Sequence, residues 1–240
     1  MFDDRVDAGK KLASALTKYK GKKVLVLAIP RGGVEVGYQV AKYLNADFSV
    51  LVSRKLPYPD NPEAGFGAIA EDGGMVIFEN AEMWVPREEI ERIIERQKEA
   101  IKERIEVIRK GQPLPEIANK TVILVDDGIA MGSTMRAAIM LCRNRGAKKI
   151  VVAVPVSGGE VAQEIEKMVD ELVVLETPEF FRAVAQVYRN WHDCSYQGVV
   201  GIMEKWRDER APSSRQKSVA SFSSIKESIL FTVIFICTNI

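Results

Sequence analysis

The chain has 240 residues and carries 34 Lys and Arg against 33 Asp and Glu, for a formal net charge of +1. Charges so balanced and interspersed offer no basic face for nucleic acid, and no N-terminal signal peptide is visible. Cys142, Cys194 and Cys237 show no metal or redox spacing, and His192 as the only histidine removes His-rich metal sites.

Val24 to Ile29 (VLVLAI) reads as a buried strand, followed by Pro30, Arg31, Gly32 and Gly33. Val36, Val40 and Leu44 then recur at helical spacing, so the pattern is strand, Gly turn, helix. Paired glycines permit close backbone approach to a ligand, and Arg31 supplies a planar cation. A Gly-Gly turn with no further role fits the same letters. Phe48 to Ser53 (FSVLVS) reads as a further strand running into Arg54 and Lys55. The Pro- and Gly-rich stretch after Lys55 is too irregular for one element and long for a connection. Its second part, GFGAIA and MVIF around Glu71–Gly74, reads as a hairpin with a DGG turn.

Pro86 to Lys110 is expected to be one long helix. Pro86, Glu88 and Glu89 suit its first turn, and Arg109 and Lys110 its last. Ile90, Ile94, Ile101, Ile105 and Ile108 form an apolar stripe, and charges of both signs mark the rest as a solvated face.

The segment VILVDDGIAMGSTM, Val122 to Met135, is the most informative. Apolar residues Val122 to Val125 form a buried strand that ends in Asp126 and Asp127, at the edge where open α/β sheets bind ligands. Gly128, Ile129, Ala130, Met131, Gly132, Ser133 and Thr134 then lead into a helix N-terminus, a place suited to an anion. An ordinary strand–turn–helix connection with capping acids would leave the same trace. There is no GxxxxGK[ST], so a P-loop is excluded, and no GxSxG nucleophile elbow.

This segment resembles the signature of the type I phosphoribosyltransferases, which bind 5-phosphoribosyl 1-pyrophosphate (PRPP). The resemblance implies that Asp126 and Asp127 hold the ribose hydroxyls and that Gly128 to Thr134 wrap the 5-phosphate. It implies that the Arg31, Gly32, Gly33 turn binds pyrophosphate. It further implies that Arg54 and Lys55 make the second pyrophosphate contact and, with Arg31, steady the leaving group. The stretch after Lys55 becomes a flexible loop and hairpin that closes over the site. IPRGG, the RKL strand end and VDDG together resemble the subgroup whose acceptor is unassigned. In place of the Thr that usually precedes the loop Gly stands Met131, which removes one hydroxyl donor, a bond of roughly 1.5–3 kcal/mol. Family members acting on 6-oxopurines carry an Asp three residues after the second acid. Here that position is Ala130, which cannot exchange a proton.

Downstream, Lys149 to Val156 and Glu171 to Glu176 read as two more buried strands around a helix from Gly159 to Val169. The expected fold is α/β, a mostly parallel open sheet of the phosphoribosyltransferase type with a flexible loop or hairpin and a small hood. Phe180, Phe181, Tyr188 and Trp191 form an aromatic cluster that either packs under a terminal segment or stacks on a planar base; the resemblance implies an acceptor hood, supplied by this segment or by the N-terminal helix. The domain is expected to fill residues 1–210. The stretch 211–240 is Ser-rich and then apolar from Ser228 to Ile240, a run shorter than the ~20 residues of a membrane span; it reads as an appended tail, with a further core strand or a membrane-associating end as the alternatives.

The resemblance implies a cytoplasmic phosphoribosyltransferase that takes PRPP and a small-molecule acceptor, with Mg²⁺ carried by the pyrophosphate and no metal ligand assigned among the side chains. No nucleic acid or membrane partner is expected, and a homodimer is compatible with the reading. The competing reading is a non-catalytic regulator that binds a phosphoribosyl compound or nucleotide on the same fold.

Overall fold

A computed structural model describes residues 1–211. The apolar runs form a five-stranded parallel sheet of β1 (Val24–Ala28), β2 (Asp47–Val50), β6 (Thr121–Val125), β7 (Lys149–Val156) and β8 (Glu171–Glu176). The order is β2-β1-β6-β7-β8, so β1 and β6 are neighbours and pair from Val24↔Thr121 to Ala28↔Val125. That register brings the chain after Ala28 and the chain after Val125 to the same sheet edge. Helix α1 (Arg5–Ala15) precedes the sheet, and α2 (Gly33–Leu44) follows β1 with Val36, Val40 and Leu44 buried, as the spacing predicts. Helix α5 (Ser133–Asn144) buries Met135, Ala138 and Ile139 in the main core with Leu25, Val122 and Val152 of the sheet.

A smaller antiparallel sheet is built from β3 (Ser53–Tyr58), β4 (Asn61–Ala70) and β5 (Met75–Ile77). Here the structure corrects the sequence reading twice. Phe48 to Ser53 is not one strand: β2 ends at Val50, and Arg54 and Lys55 lie inside β3. The stretch after Lys55 is likewise no loop, because much of it pairs as β3 and β4. The expected hairpin with its DGG turn is present as β4 and β5, with Gly73 at φ 85°.

The cause of the break lies in hydrogen bonding that an apolar run cannot reveal. The Leu51 N–H still donates to the Ala28 carbonyl of the parallel sheet. The Val52 N–H donates instead to Glu71 Oε1 at 2.9 Å, and the Glu71 N–H donates back to the Val52 carbonyl at 3.1 Å. Arg109 then fastens this crossing, donating through Nη1 to Glu71 Oε1 and to the Val50 carbonyl, each at 2.9 Å, and through Nη2 to Glu71 Oε2.

A short helix α3 (Ala81–Trp84) leads into α4 (Arg87–Arg109), with Pro86 at the N-cap. Ile90, Ile93, Gln97, Ile101 and Ile108 are its buried face; Ile94 and Ile105 of the expected stripe are only half-buried. Gln97 is buried because its Oε1 accepts a 2.6 Å hydrogen bond from Arg54 Nε. Helix α6 (Gly159–Glu166) is shorter than expected, and α7 (Tyr196–Arg210) closes the described chain. The chain divides into a compact unit, Met1–Met203, and a second beginning at Glu204 within α7, where Arg210 lies over the Trp206 ring at 4.6 Å. Beyond Ala211, the expected tail falls outside the described residues. No helix among the described residues is long and apolar enough to cross a membrane.

Candidate active site

The turn after β1 and the acid pair after β6 are packed against each other so closely that only glycine fits between them. A methyl group at Gly32 would collide with the Asp127 carboxylate, and one at Gly33 would lie 2.8 Å from the Asp126 Cα and 2.9 Å from the Val125 carbonyl. The two glycines are therefore what lets the PRGG turn sit on the acid pair. The Pro30–Arg31 peptide within that turn is cis.

Both carboxylates are largely shielded from water, and a partner outside the motifs manages them. Arg5, itself 3% exposed, donates from Nε to Asp127 Oδ2 at 2.7 Å and from Nη1 to the His192 carbonyl at 2.8 Å. Its guanidinium lies over the Trp191 ring at 3.8 Å. The Tyr188 hydroxyl donates to the Asp127 carbonyl at 2.6 Å, and the Asp127 N–H donates to Asp126 Oδ1 at 2.8 Å. Burial pushes the Asp126 carboxyl well above the usual range, and the neighbouring Asp127 charge pushes it further. Burial also raises Asp127, against the opposing pull of Arg5. Burial works against the charged form of Arg5, but Asp127 outweighs it and holds the guanidinium ionised. The acids thus share one protonation equilibrium that Arg5 biases toward charge.

From Asp126 the chain runs around a cavity of about 310 Å³ lined by Lys55, Asp126, Gly128, Ile129, Ala130, Met131, Gly132, Ser133, Thr134 and Val184. Ile129 is the buried anchor of this loop, its N–H donating to the Val156 carbonyl at 2.9 Å. Helix α5 starts at Ser133 after Gly132, with no side-chain cap on its first N–H groups. Those groups have no partner within the helix and carry the positive end of its dipole, which makes an anion cradle. Ser133 is buried, whereas Met131 is 55% exposed.

A second cavity of about 450 Å³ adjoins the first, sharing Lys55 and Thr134 with it, and is lined by Arg31, Ser53, Arg54, Arg104 and Tyr196 among others. Tyr196 carries Arg31 and Arg104 against its ring, at 5.5 Å and 4.9 Å. Burial lowers the Arg54 pKa; nearby Tyr196 opposes that shift and the Arg31 charge adds to it. The Ser53 hydroxyl and the Tyr196 hydroxyl are both buried without a hydrogen-bond partner. A pocket of gathered cations and unmet hydroxyls is chemically matched to a polyanion with many acceptor oxygens.

The structure therefore brings together every residue singled out in the sequence: Arg31, Gly32, Gly33, Arg54, Lys55, Asp126, Asp127 and the loop to Thr134. Sequence reasoning missed Arg5, Ser53, Arg104 and Tyr196, and it named Tyr188 only as a member of the aromatic cluster, with no link to the acid pair. Arg104 is one charge among many on α4, and nothing local marks Arg5. Of the aromatic cluster, Tyr188 and Phe181 are packing and Phe180 is exposed, and none of the four lines either cavity. Phe2, Tyr188 and Val187 form a small buried core, while Trp191 flanks Arg5 and Val184 lines the first cavity.

A parallel sheet with a cleft at the carboxyl ends of β1 and β6, flanked by the loops that follow them, defines an open-sheet α/β protein. Within that class the chain belongs to the phosphoribosyl transferase domain family, whose model matches residues 3–190. It is similar to TT1426 of Thermus thermophilus, a solved structure, with 34% identity and a TM-score of 0.73 over 86% of this chain and 99% of that one. It is also 40% identical over 207 residues to a Mycobacterium tuberculosis protein, found in strains CDC 1551 and H37Rv, whose name assigns it provisionally to the phosphoribosyl transferases. That match covers 85% of this chain and 47% of the relative, so the chain spans about half the length of the curated relatives it matches.

Proposed function

We propose that the protein transfers a 5-phosphoribosyl group from PRPP to a small acceptor, displacing pyrophosphate at the ribose C1. The observation that carries this reading is the pair of adjoining cavities, one with Asp126 and an anion cradle, the other with the cations, joined at Lys55 and Thr134. A donor with hydroxyls and a phosphate at one end and a pyrophosphate at the other spans the two. Asp126 and Asp127 take the ribose hydroxyls, Gly128 to Thr134 the 5-phosphate, and Arg31, Gly32, Gly33, Arg54 and Lys55 the pyrophosphate.

In the reaction the C1–O bond to pyrophosphate breaks and a bond from C1 to the acceptor forms, while the acceptor loses a proton. Positive charge develops at C1 near the acid pair, and negative charge grows on the departing oxygens beside Arg54 and Lys55. The protein's contribution is positioned electrostatics and not a nucleophile. Mg²⁺ suits the hard oxygen donors present: Asp126 lines the cavity, whereas Asp127 is already paired with Arg5. Bound with pyrophosphate, the ion would neutralise leaving-group charge. The free, buried thiols of Cys142 and Cys194 suit a reducing compartment, in keeping with a cytoplasmic protein.

Ala130 places a methyl group on the cavity wall where a 6-oxopurine enzyme of this family would have a carboxylate. Hypoxanthine and guanine are therefore expected to be poor acceptors. A screen of pyrophosphate release with purines, pyrimidines and pyridines tests both statements. Release with some acceptor other than hypoxanthine or guanine is the expected result, and Ala130→Asp should then raise turnover with those two bases alone. Efficient transfer to hypoxanthine by the unaltered protein would refute the acceptor reading. Exposed Met131 in the phosphate loop favours the second reading, a regulator on the same fold. Donor binding with no release for any acceptor would decide for that regulator.

A further inference from the structure

Glu35, in the first turn of α2, faces the segment that follows the aromatic cluster. His192 Nε2 lies 3.2 Å from Glu35 Oε1, and the Cys194 sulfur lies 3.3 Å from the same oxygen. The oxygen, nitrogen and sulfur ligand atoms all fall within 4.8 Å of one another. Tetrahedral Zn²⁺, with bonds of about 2.0–2.1 Å to nitrogen or oxygen and 2.3 Å to sulfur, sets neighbouring donors roughly 3.3–3.6 Å apart. The two separations from Glu35 Oε1 already match that spacing, and the nitrogen and sulfur lie within 4.8 Å of each other, before any ion draws them in.

We infer that Glu35, His192 and Cys194 form a zinc site, separate from the cavities that hold the reaction chemistry. Donor softness supports zinc over magnesium: a sulfur and an imidazole nitrogen suit a borderline cation, whereas Mg²⁺ takes oxygens. The charge also balances, since a carboxylate and a thiolate together neutralise a dication. The nearest cation, Arg5, is already paired with Asp127 and so opposes the ion only weakly. Binding exchanges the Cys194 S–H proton for an S–Zn bond and releases one proton per ion. Cys194 is buried while the His192 side chain is 56% exposed, which leaves the fourth position open to water.

Such an ion would staple the start of α2, just after the PRGG turn, to the segment that carries Trp191 and leads to Tyr196. It would thereby fix one wall of the pyrophosphate pocket without touching a reacting atom. The sequence shows only half the site, because His-x-Cys is a weak spacing and Glu35 lies 157 residues from His192.

The test uses the full chain, reduced and stripped with a chelator, titrated with Co²⁺ as a visible probe and then with Zn²⁺. The expected result is one equivalent of cobalt showing thiolate-to-cobalt charge transfer and tetrahedral visible bands, both removed by Zn²⁺. Cys194→Ser should abolish the charge-transfer band, and Glu35→Gln or His192→Gln should weaken binding by about tenfold or more. Cys142→Ser should leave the band unchanged, that thiol being fully buried. Should Cys194→Ser fail to fold, the thermal midpoint decides: Zn²⁺ should raise it in the parent protein and not in His192→Gln. No charge-transfer band in the parent protein, a band that survives Cys194→Ser, or a midpoint unmoved by Zn²⁺ would overturn the site. Each readout is independent of transferase activity, so its failure is distinct from failure of the proposed reaction.

Discussion

Arg5→Met lowers the stability of the protein by about 3–5 kcal/mol, the usual cost of leaving one member of a buried ion pair behind. Arg5 and the Asp127 side chain are 4% and 14% exposed, so water cannot take over the role of the guanidinium. The loss falls on the acid pair, since Asp126 and Asp127 are already raised by burial and Arg5 is the only cation that opposes this, beside hydrogen bonds within the pair itself. Without Arg5 their folded pKa rises further above the unfolded value. At neutral pH the folded state then carries an unfavourable charge. As pH falls through the raised folded pKa, the native pair binds a proton more readily than the unfolded chain, so the deficit shrinks. Urea unfolding of Arg5→Met, Asp127→Asn and the double variant at pH 7 and pH 5 checks this. Most of the loss should be recovered in the double variant, with the single Arg5 variant less impaired at pH 5. Additive losses that do not vary with pH would contradict the coupling.

Arg109→Met is expected to cost a similar amount, about 3–5 kcal/mol, for the same physical reason at a second place. Arg109 and Glu71 are 4% and 5% exposed in their side chains. Their contacts hold the point where the chain leaves the parallel sheet for the antiparallel one, and Val50 loses its guanidinium donor with the substitution. Adding Glu71→Leu removes the stranded carboxylate but orphans the Val52 N–H, which costs roughly 1–3 kcal/mol. The double variant should therefore recover only part of the loss. Thermal and urea denaturation measure it, and a deficit below about 1 kcal/mol in Arg109→Met would show that the crossing is held by other contacts.

How far the sequence could carry the reading follows from the range of each interaction. Parallel strands buried on both faces write continuous apolar runs, so β1, β6 and β7 were legible, and with them the turns at their carboxyl ends; β8, read as a buried strand from the same kind of run, is instead a half-buried edge strand. The helices after those turns followed from 3.6-residue spacing. The break between β2 and β3 was not legible, because FSVLVS holds no Gly, Pro or charge to mark it and what divides it is a carboxylate at Glu71 that captures one N–H. The candidate site divides in the same way. Its glycines, acid pair and cations sit in short motifs that state their chemistry locally. Arg5 is 122 residues from Asp127, and the unmet hydroxyls of Ser53 and Tyr196 become informative only once burial is known.

The central claim is that the acid pair and the loop after it bind the phosphoribosyl donor in the cleft where β1 and β6 end. Isothermal titration of the protein with PRPP in the presence of Mg²⁺ tests it most directly. The account predicts saturable binding at one site per chain, lost when Asp126→Asn and Asp127→Asn are combined in a variant that remains folded. No binding by the unaltered protein, or equal binding by the folded double variant, would contradict it.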